Sequence, residues 1–448
     1  METMQKTKTS NCFSNESDTS ILNLDDGFGA RHYERIGLVV RHTKGCWLTD
    51  GKGNAYLDCL AAYSAANAGH HHPAITQALM DALTGNYASV VSNVVFTDPL
   101  GVFLSRLAGF VPRMAPRFGS AENKVLPKNG GVESVETAVK AMRYFGFKHK
   151  GIQDGCQEII VFDENFHGRT ISVVSFSSNR KYRQGFGPLT PGFVSVDFGN
   201  LEAVKNAIGK NTCGILVEPM QGEGGMRIPP EGFLRGLRNL ADEHDLLFVC
   251  DEIQVGLGRT GKRFCFEHED IVPDGVILGK ALSGGLVPLS AFVTNAKIMD
   301  MVFSTGSDGS TFGGYPLACV AGTTALTVFE KEKLAEQSAR KGKILKERIR
   351  NIARKSCHVK DVRGKGLFIG IETKQGNAMA FCRKLFEMGL IVNDAHRHTI
   401  RISPPLTINT EEMEFMVECL ERVLVDAKGR LGWEASVRQY PRKNTKLT

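Results

Sequence analysis

Nowhere in these 448 residues is there an uninterrupted apolar run of roughly 18 or more, so no segment reads as a membrane-spanning helix. The eleven cysteines contain no C-x-x-C pair. Several stand inside apolar runs, as Cys250 does in Leu246-Leu-Phe-Val-Cys250, which is how reduced, buried thiols are used. A disulfide scaffold is thereby excluded and a cytoplasmic location expected. The first 25 residues lack both arginine and an apolar core, so neither a secretory signal nor a mitochondrial presequence is expected there. A strong cluster of basic charge is missing too: the net charge of +7 comes from dispersed Lys and Arg. One basic stretch, 339–354, carries aliphatic residues at helical spacing and reads as a solvated helix face, not a nucleic-acid site. Internal repeats and low-complexity tracts are also absent.

What is present is alternation. From about 120 to 315, short β-type runs alternate with helical patterns, the signature of an α/β fold with a mostly parallel sheet. The strand candidates are Glu158–Phe162, Cys213–Val217, Leu246–Cys250 and Gly275–Leu278. Between the second and third, Phe233 to Ala241 is apolar at helical spacing. A closing helix is expected near 410–426, where Asn409 offers a cap and Glu411 and Glu412 put negative charge in the first turn. Segments 32–68 and 355–425 have shorter strands and more turns. The expected organisation is a loosely docked or disordered tail (1–27), a small α+β domain built from both ends (28–70 and 319–428), a large central domain (71–318) and a polar tail (429–448).

Each candidate strand runs into polar residues. Phe162 leads to Asp163-Glu-Asn-Phe166-His167-Gly168-Arg169, Val217 to Glu218, Cys250 to Asp251-Glu-Ile-Gln254, and Leu278 to Gly279-Lys280. Ligands of open α/β sheets sit outside the carboxyl ends of the strands, so Arg169, Glu218, Asp251 and Lys280 are expected to share one crevice. A lysine that can bond an aldehyde, with an aspartate that keeps a pyridine nitrogen protonated, is the chemistry pyridoxal 5'-phosphate requires. Asn129-Gly130-Gly131-Val132-Glu133-Ser134 leads into a helix whose N-terminal amides could hold the phosphate.

Two other motifs point elsewhere and are set aside. Gly256-Leu-Gly258-Arg-Thr-Gly261 has G-x-G-x-x-G spelling but does not join a strand directly to a helix, so a dinucleotide fold is not expected. His70-His71-His72 has no spaced carboxylate or cysteine partner, and Pro73 makes it a helix entry; no metal is expected.

Taken together, Lys280, Asp251-Glu-Ile-Gln254-Val-Gly256, Glu218-Pro and Gly309-Ser310-Thr311-Phe-Gly-Gly314 make the chain resemble the class III aminotransferases among the fold-type I pyridoxal phosphate enzymes, from about residue 28 to 426. The resemblance implies that Lys280 is the Schiff-base lysine and Asp251 the ring-nitrogen partner. It further implies that Phe166 stacks on the ring and Gln254 meets its phenolic oxygen. Gly131 and Val132 would bind phosphate, helped by Ser310 and Thr311, with Thr311 donated by a second subunit of a homodimer. Within the family the likeness is to the branch that moves the δ-amino group of ornithine to 2-oxoglutarate. It implies that Tyr33 meets the α-amino group and Tyr63 lines the pocket. Arg169 would clamp ornithine's α-carboxylate and Arg401 that of glutamate, with Glu223 neutralising Arg401 while ornithine is bound. His167 departs from the tryptophan of eukaryotic-type ornithine enzymes, and Phe166-His-Gly-Arg-Thr170 is also acetylornithine aminotransferase spelling. Acetylornithine, lysine or another ω-amino acid is therefore the alternative donor, and racemisation or epimerisation on the same cofactor the alternative reaction.

Overall fold

The computed structural model describes residues 16–119 and 121–425; the terminal stretches 1–15 and 426–448, which include the expected polar C-terminal tail, lie outside them. Three N-terminal strands come first: β1 (Val40–Lys44), β2 (Trp47–Asp50) and β3 (Ala55–Asp58). Seven follow: β4 (Asn123–Lys128), β5 (Glu158–Phe162), β6 (Phe193–Val196), β7 (Thr212–Val217), β8 (Leu247–Asp251), β9 (Gly275–Leu278) and β10 (Ser290–Asn295). The last five are β11 (Val359–Lys365), β12 (Phe368–Thr373), β13 (Leu390–Ile391), β14 (Asn393–Ala395) and β15 (Thr399–Ile402).

The seven middle strands form one sheet in the order β4-β10-β9-β8-β7-β5-β6. β10 alone runs against its neighbours β4 and β9; the other pairings are parallel. Strands β7 to β10 are buried at every position; β7 to β9 read as near-continuous apolar runs without alternation, whereas β10 includes Ser290, Thr294 and Asn295. The alternation exists in three dimensions. Ile159, Val161, Leu216, Val249 and Ile277 face one core, shared with Val135, Val139, Met142 and Phe145 of helix Gly131–Lys148. Ile160, Phe162, Ile215, Val217, Phe248 and Cys250 face the other, shared with Phe233, Leu234 and Leu237 of helix Phe233–Glu243. Each such side chain, fully buried, is worth about 1.5–3 kcal/mol, so the double-sided core is the main source of stability. Gly146 lets the first helix approach the sheet, because a Cβ there would stand 2.5 Å from that of Cys213.

The ends of the chain meet. β13 pairs in parallel with β3, completing the sheet β1-β2-β3-β13, while β11-β12-β15-β14 forms a third, antiparallel sheet. Helices Leu334–Lys355 and Thr410–Val425 pack beside them. The first of these is the basic stretch; its Leu345, Ile349 and Ile352 are buried, and so is Lys341, which donates to the carbonyl of Leu406. Part of the expected N-terminal tail is helical, Asp18–Phe28, because Ser17 accepts from the Ser20 amide as an N-cap; none of its residues is buried. His70 and His72 face Asp58 and Glu332, and Pro73 opens helix Pro73–Thr84. Gly256–Gly261 lies in consecutive turns, not between a strand and a helix. Among the described residues no helix is long and apolar enough to cross a membrane.

Candidate active site

Because β5, β7, β8 and β9 are parallel, their carboxyl ends open on one side, and a cavity of about 160 Å³ lies there. Gly131, Val132, Phe166, Asp251, Gln254 and Lys280 all line it, as does Glu218. Strand polarity thus gathers residues up to about 150 positions apart in sequence.

Lys280 leaves β9 in the left-handed backbone region, φ 46°, where a non-glycine residue is disfavoured. Gly279 before it is extended, and Gly284, with φ 70°, ends the short turn that follows. Burial pushes the Lys280 amine down to about 8; the charge of Arg401 helps, while Glu223, Asp251 and Glu218 oppose. With its amide oxygen turned inward, Gln254 accepts from Lys280 Nζ at 3.2 Å and from Arg401 Nη1 at 3.3 Å.

Asp251 ends β8. One oxygen accepts from the Ile253 amide at 3.0 Å and the other pairs with His167 Nδ1 at 2.7 Å, both side chains being buried. Burial works against a proton on His167, but the hydrogen bond and charge of Asp251, with Glu218 behind them, raise its pKa. Among the described residues, His167 Nε2 has no hydrogen-bond partner. Glu218 accepts from the Phe166 amide at 3.0 Å, which fixes the start of the Phe166–Arg169 segment. Burial lifts its carboxyl to about 7 and Asp251 adds to the lift; His167 and backbone amides counter it.

At the other end of the cavity, helix Gly131–Lys148 begins with the Glu133 carboxylate accepting from the amide of Gly130. Two glycines make room. A Cβ on Gly131 would meet Ile253 at 2.9 Å, and one on Gly168, whose φ is 134°, would stand 2.3 Å from Val132 Cγ2. Ser310 Oγ accepts from Asn129 Nδ2 at 3.0 Å, beside this helix start. Thr311 is exposed and does not line the cavity.

Near Lys280 and Gln254, both oxygens of Glu223 hold Arg401, a fully buried residue, at 2.7 and 2.8 Å. Burial would raise the Glu223 carboxyl, yet Arg401, with Lys280 and Arg169 contributing, holds it below the usual range. The Arg401 guanidinium lies 5.0 Å from the Tyr63 ring centre, and Asn393 donates to the Tyr63 hydroxyl at 3.3 Å. Tyr63 sits in a left-handed turn, Ala61–Ser64, with φ between 46° and 78° at all four residues. Asp58 secures that turn by accepting from the amides of Leu60 and Ala61 and pairing with His70. Arg169 is exposed, its guanidinium 3.8 Å from the Tyr182 ring centre. Tyr33 is not brought in: it is 63% exposed and its ring contact is His32.

Residues 28–424 match the family model of class III aminotransferases. The chain is a class III aminotransferase. It is 44% identical over 403 residues to ornithine aminotransferase 2 of Staphylococcus aureus strain MRSA252, covering 90% of this chain and 98% of that protein. Its fold is similar to the ornithine aminotransferase of Toxoplasma gondii, in which PLP partly occupies the active site: TM-score 0.86, 32% identity, 92% of this chain and 94% of that one. An acetylornithine aminotransferase from Elizabethkingia anophelis is also similar, with TM-score 0.80, 34% identity, 92% of this chain and all of the other. The aminotransferase therefore has the fold-type I architecture and depends on pyridoxal 5'-phosphate (PLP). Its own residues fit that cofactor. A buried carboxylate, two glycines where a Cβ would clash with Ile253 or Val132, one of them at a helix start, and an amine of depressed pKa all line one cavity.

Sequence reasoning did not assign His167 a partner, and it missed Ile253 and Tyr182 altogether. His167 and Ile253 were adjacent to assigned residues, but only the fold shows that one braces Asp251 and the other floors the cavity. Tyr182 lies 13 positions from Arg169 and carried no motif.

Proposed function

We propose that this aminotransferase takes the δ-amino group of ornithine in one half-reaction and delivers it to 2-oxoglutarate in the other, by a ping-pong mechanism. The products are glutamate semialdehyde, which cyclises to pyrroline-5-carboxylate, and glutamate. The observation that carries this reading is the bidentate Glu223–Arg401 pair beside Lys280. A free arginine next to the reacting carbon would favour an α-carboxylate there. Neutralised by Glu223, it tolerates a terminal amine; released, it accepts the α-carboxylate of glutamate. Two alternating amino acids call for transfer, not racemisation.

When bound, PLP supplies the aldehyde and electron-withdrawing ring through which the amino group passes. Lys280, its amine made nucleophilic by burial, would be the residue that bonds the cofactor's aldehyde and the base that moves the proton at the substrate carbon. Asp251, braced by His167, would keep a proton on the ring nitrogen, and Phe166 would cover the ring face. Gln254 would meet the phenolic oxygen; Gly131, Val132 and Ser310 would hold the phosphate. Arg169 clamps ornithine's α-carboxylate and Tyr63 walls the pocket, while Tyr33, which lies outside the cavity, meets the α-amine only by moving inward. Thr311 completes the phosphate site of a second subunit. The exposure of Thr311, Phe312, Val94 and Phe96 supports a homodimer. The free thiols of the described residues support a cytoplasmic enzyme.

N-acetylornithine is the second reading, favoured by the position of Tyr33 outside the cavity and by the likeness to the acetylornithine enzyme. The test is incubation with ornithine and 2-oxoglutarate, trapping pyrroline-5-carboxylate with o-aminobenzaldehyde. Colour is expected; its absence, with turnover of N-acetylornithine or lysine, refutes the ornithine assignment. Tyr33→Phe should damage the ornithine half-reaction and spare the glutamate half.

A further inference from the structure

The two arginines of the pocket are kept in opposite ways. Arg401 is buried and its fork is taken by Glu223. Arg169 is exposed and, among the described residues, pairs with no carboxylate; instead its guanidinium lies 3.8 Å from the Tyr182 ring centre and 5.6 Å from that of Phe166. The Phe166 and Tyr182 rings meet edge to face at 6.2 Å, so one aromatic corner holds the guanidinium. An arginine bound through its face to an aromatic ring keeps its N–H edge free for a carboxylate, whereas an ion-paired arginine must first give up its partner.

We infer that Tyr182 is a positioning residue that holds Arg169 oriented and unpaired, ready for the carboxylate of the incoming substrate. Its own placement is built in. Tyr182 sits in the short helix Arg180–Arg183, capped by Asn179, whose side chain accepts from Lys181 N at 3.0 Å. Ser178 Oγ accepts from Glu164 N at 2.9 Å, and Asn165 donates to the carbonyls of Phe162 and Phe176, tying this segment to the loop that carries Phe166 and Arg169. Arg169 is also near enough to help lower the pKa of Glu223, so the held guanidinium lies in the neighbourhood of the Glu223–Arg401 pair.

The inference rests on the reading of Arg169 as a carboxylate clamp. The experiment is a double-mutant cycle on the holoenzyme with Tyr182→Leu, Tyr182→Phe, Arg169→Gln and the combination Tyr182→Leu/Arg169→Gln. Two readouts are used: KM and kcat for ornithine, and calorimetric binding of glutarate, a carboxylate without a reactive amine. Tyr182→Leu should raise KM and weaken glutarate by about 2- to 25-fold, the span expected of a cation–π contact, with kcat nearly unchanged. Tyr182→Phe should restore both, and in the Arg169→Gln background Tyr182→Leu should add nothing. The inference is overturned if Tyr182→Leu leaves KM and glutarate binding unchanged, lowers kcat with KM intact, or acts equally with and without Arg169. If Arg169→Gln itself changes neither readout, the clamp reading falls and this inference with it. If wild-type enzyme ignores ornithine, the substrate reading fails while the glutarate cycle still decides the role of Tyr182.

Discussion

Glu223 and Arg401 meet fork to fork, at 2.7 and 2.8 Å, on a guanidinium with no accessible surface. Such a pair is both strong and directional, so opening it has a definite cost. In the proposed reaction the pair stays closed for ornithine and opens for glutamate.

Glu223→Gln keeps the shape but removes the charge, leaving Arg401 free for an α-carboxylate. The glutamate half-reaction should be maintained or improved and the ornithine half-reaction impaired. The ratio of their kcat/KM values should shift by about tenfold or more, the scale of a charge-assisted hydrogen bond. Single-turnover kinetics with each amino acid measures it; equal effects on both halves would remove Glu223 from the switch.

Burial, aided by Arg401, lowers the Lys280 amine to about 8. Only the neutral amine attacks an aldehyde, so the rate at which cofactor-free enzyme captures PLP should rise with pH below that value and level off above it. A lysine at its ordinary value of about 10.4 would keep gaining roughly tenfold per pH unit beyond 9. Stopped-flow absorbance across pH 6.5–10 distinguishes the two curves.

Gly168→Ala places a methyl group 2.3 Å from Val132 Cγ2 at a φ of 134°. Val132 lines the cavity at the helix start, so the cofactor should bind at least about tenfold more weakly, the equivalent of about 1.4 kcal/mol. Equilibrium dialysis reads the change. Gly109→Ala is the control: its Cβ meets nothing within 4 Å, so cofactor affinity should be untouched.

The left-handed turn at Ala61–Ser64 holds strain beside the pocket. Exposed Ala62, with φ 46°, can become glycine without losing packing. Relief of the Cβ clash, less the extra freedom of glycine in the unfolded chain, should leave a gain of about 1 kcal/mol. Asp58→Ala frees two backbone amides and should cost about 2 kcal/mol, and Ala62→Gly should recover part of it. Thermal midpoints of the holoenzymes measure both.

Much of the scaffold was legible because parallel strands buried on both faces must be apolar throughout. Glu158–Phe162 and Gly275–Leu278 appear with the boundaries expected from their side chains alone. The edge strands β4 and β6 and the antiparallel β10 were not read, since Asn123–Lys128 carries charge at both ends and Phe193–Val196 is short and partly exposed. Lys280 and Asp251 were legible for the same reason as their strands: a charged residue straight after an apolar run has its place set by the run. The left-handed turn at Tyr63 left no such mark, because its alanines favour right-handed helix and tertiary bonds from Asp58, Ser403 and Asn393 help to hold it otherwise.

The sequence by itself determined the alternating strands, the residues at their ends and, through the resemblance those residues carry, the family and its cofactor. Tertiary structure alone decided which residues touch. It set His167 on Asp251, 84 positions apart, and Tyr182 beneath Arg169, it gave the Glu223–Arg401 pair that the resemblance implied its fork-to-fork geometry, and it left Tyr33 outside. Local propensity and periodicity act over a few residues along the chain. Contacts over such separations are selected only when the sheet closes and each buried charge must find a partner.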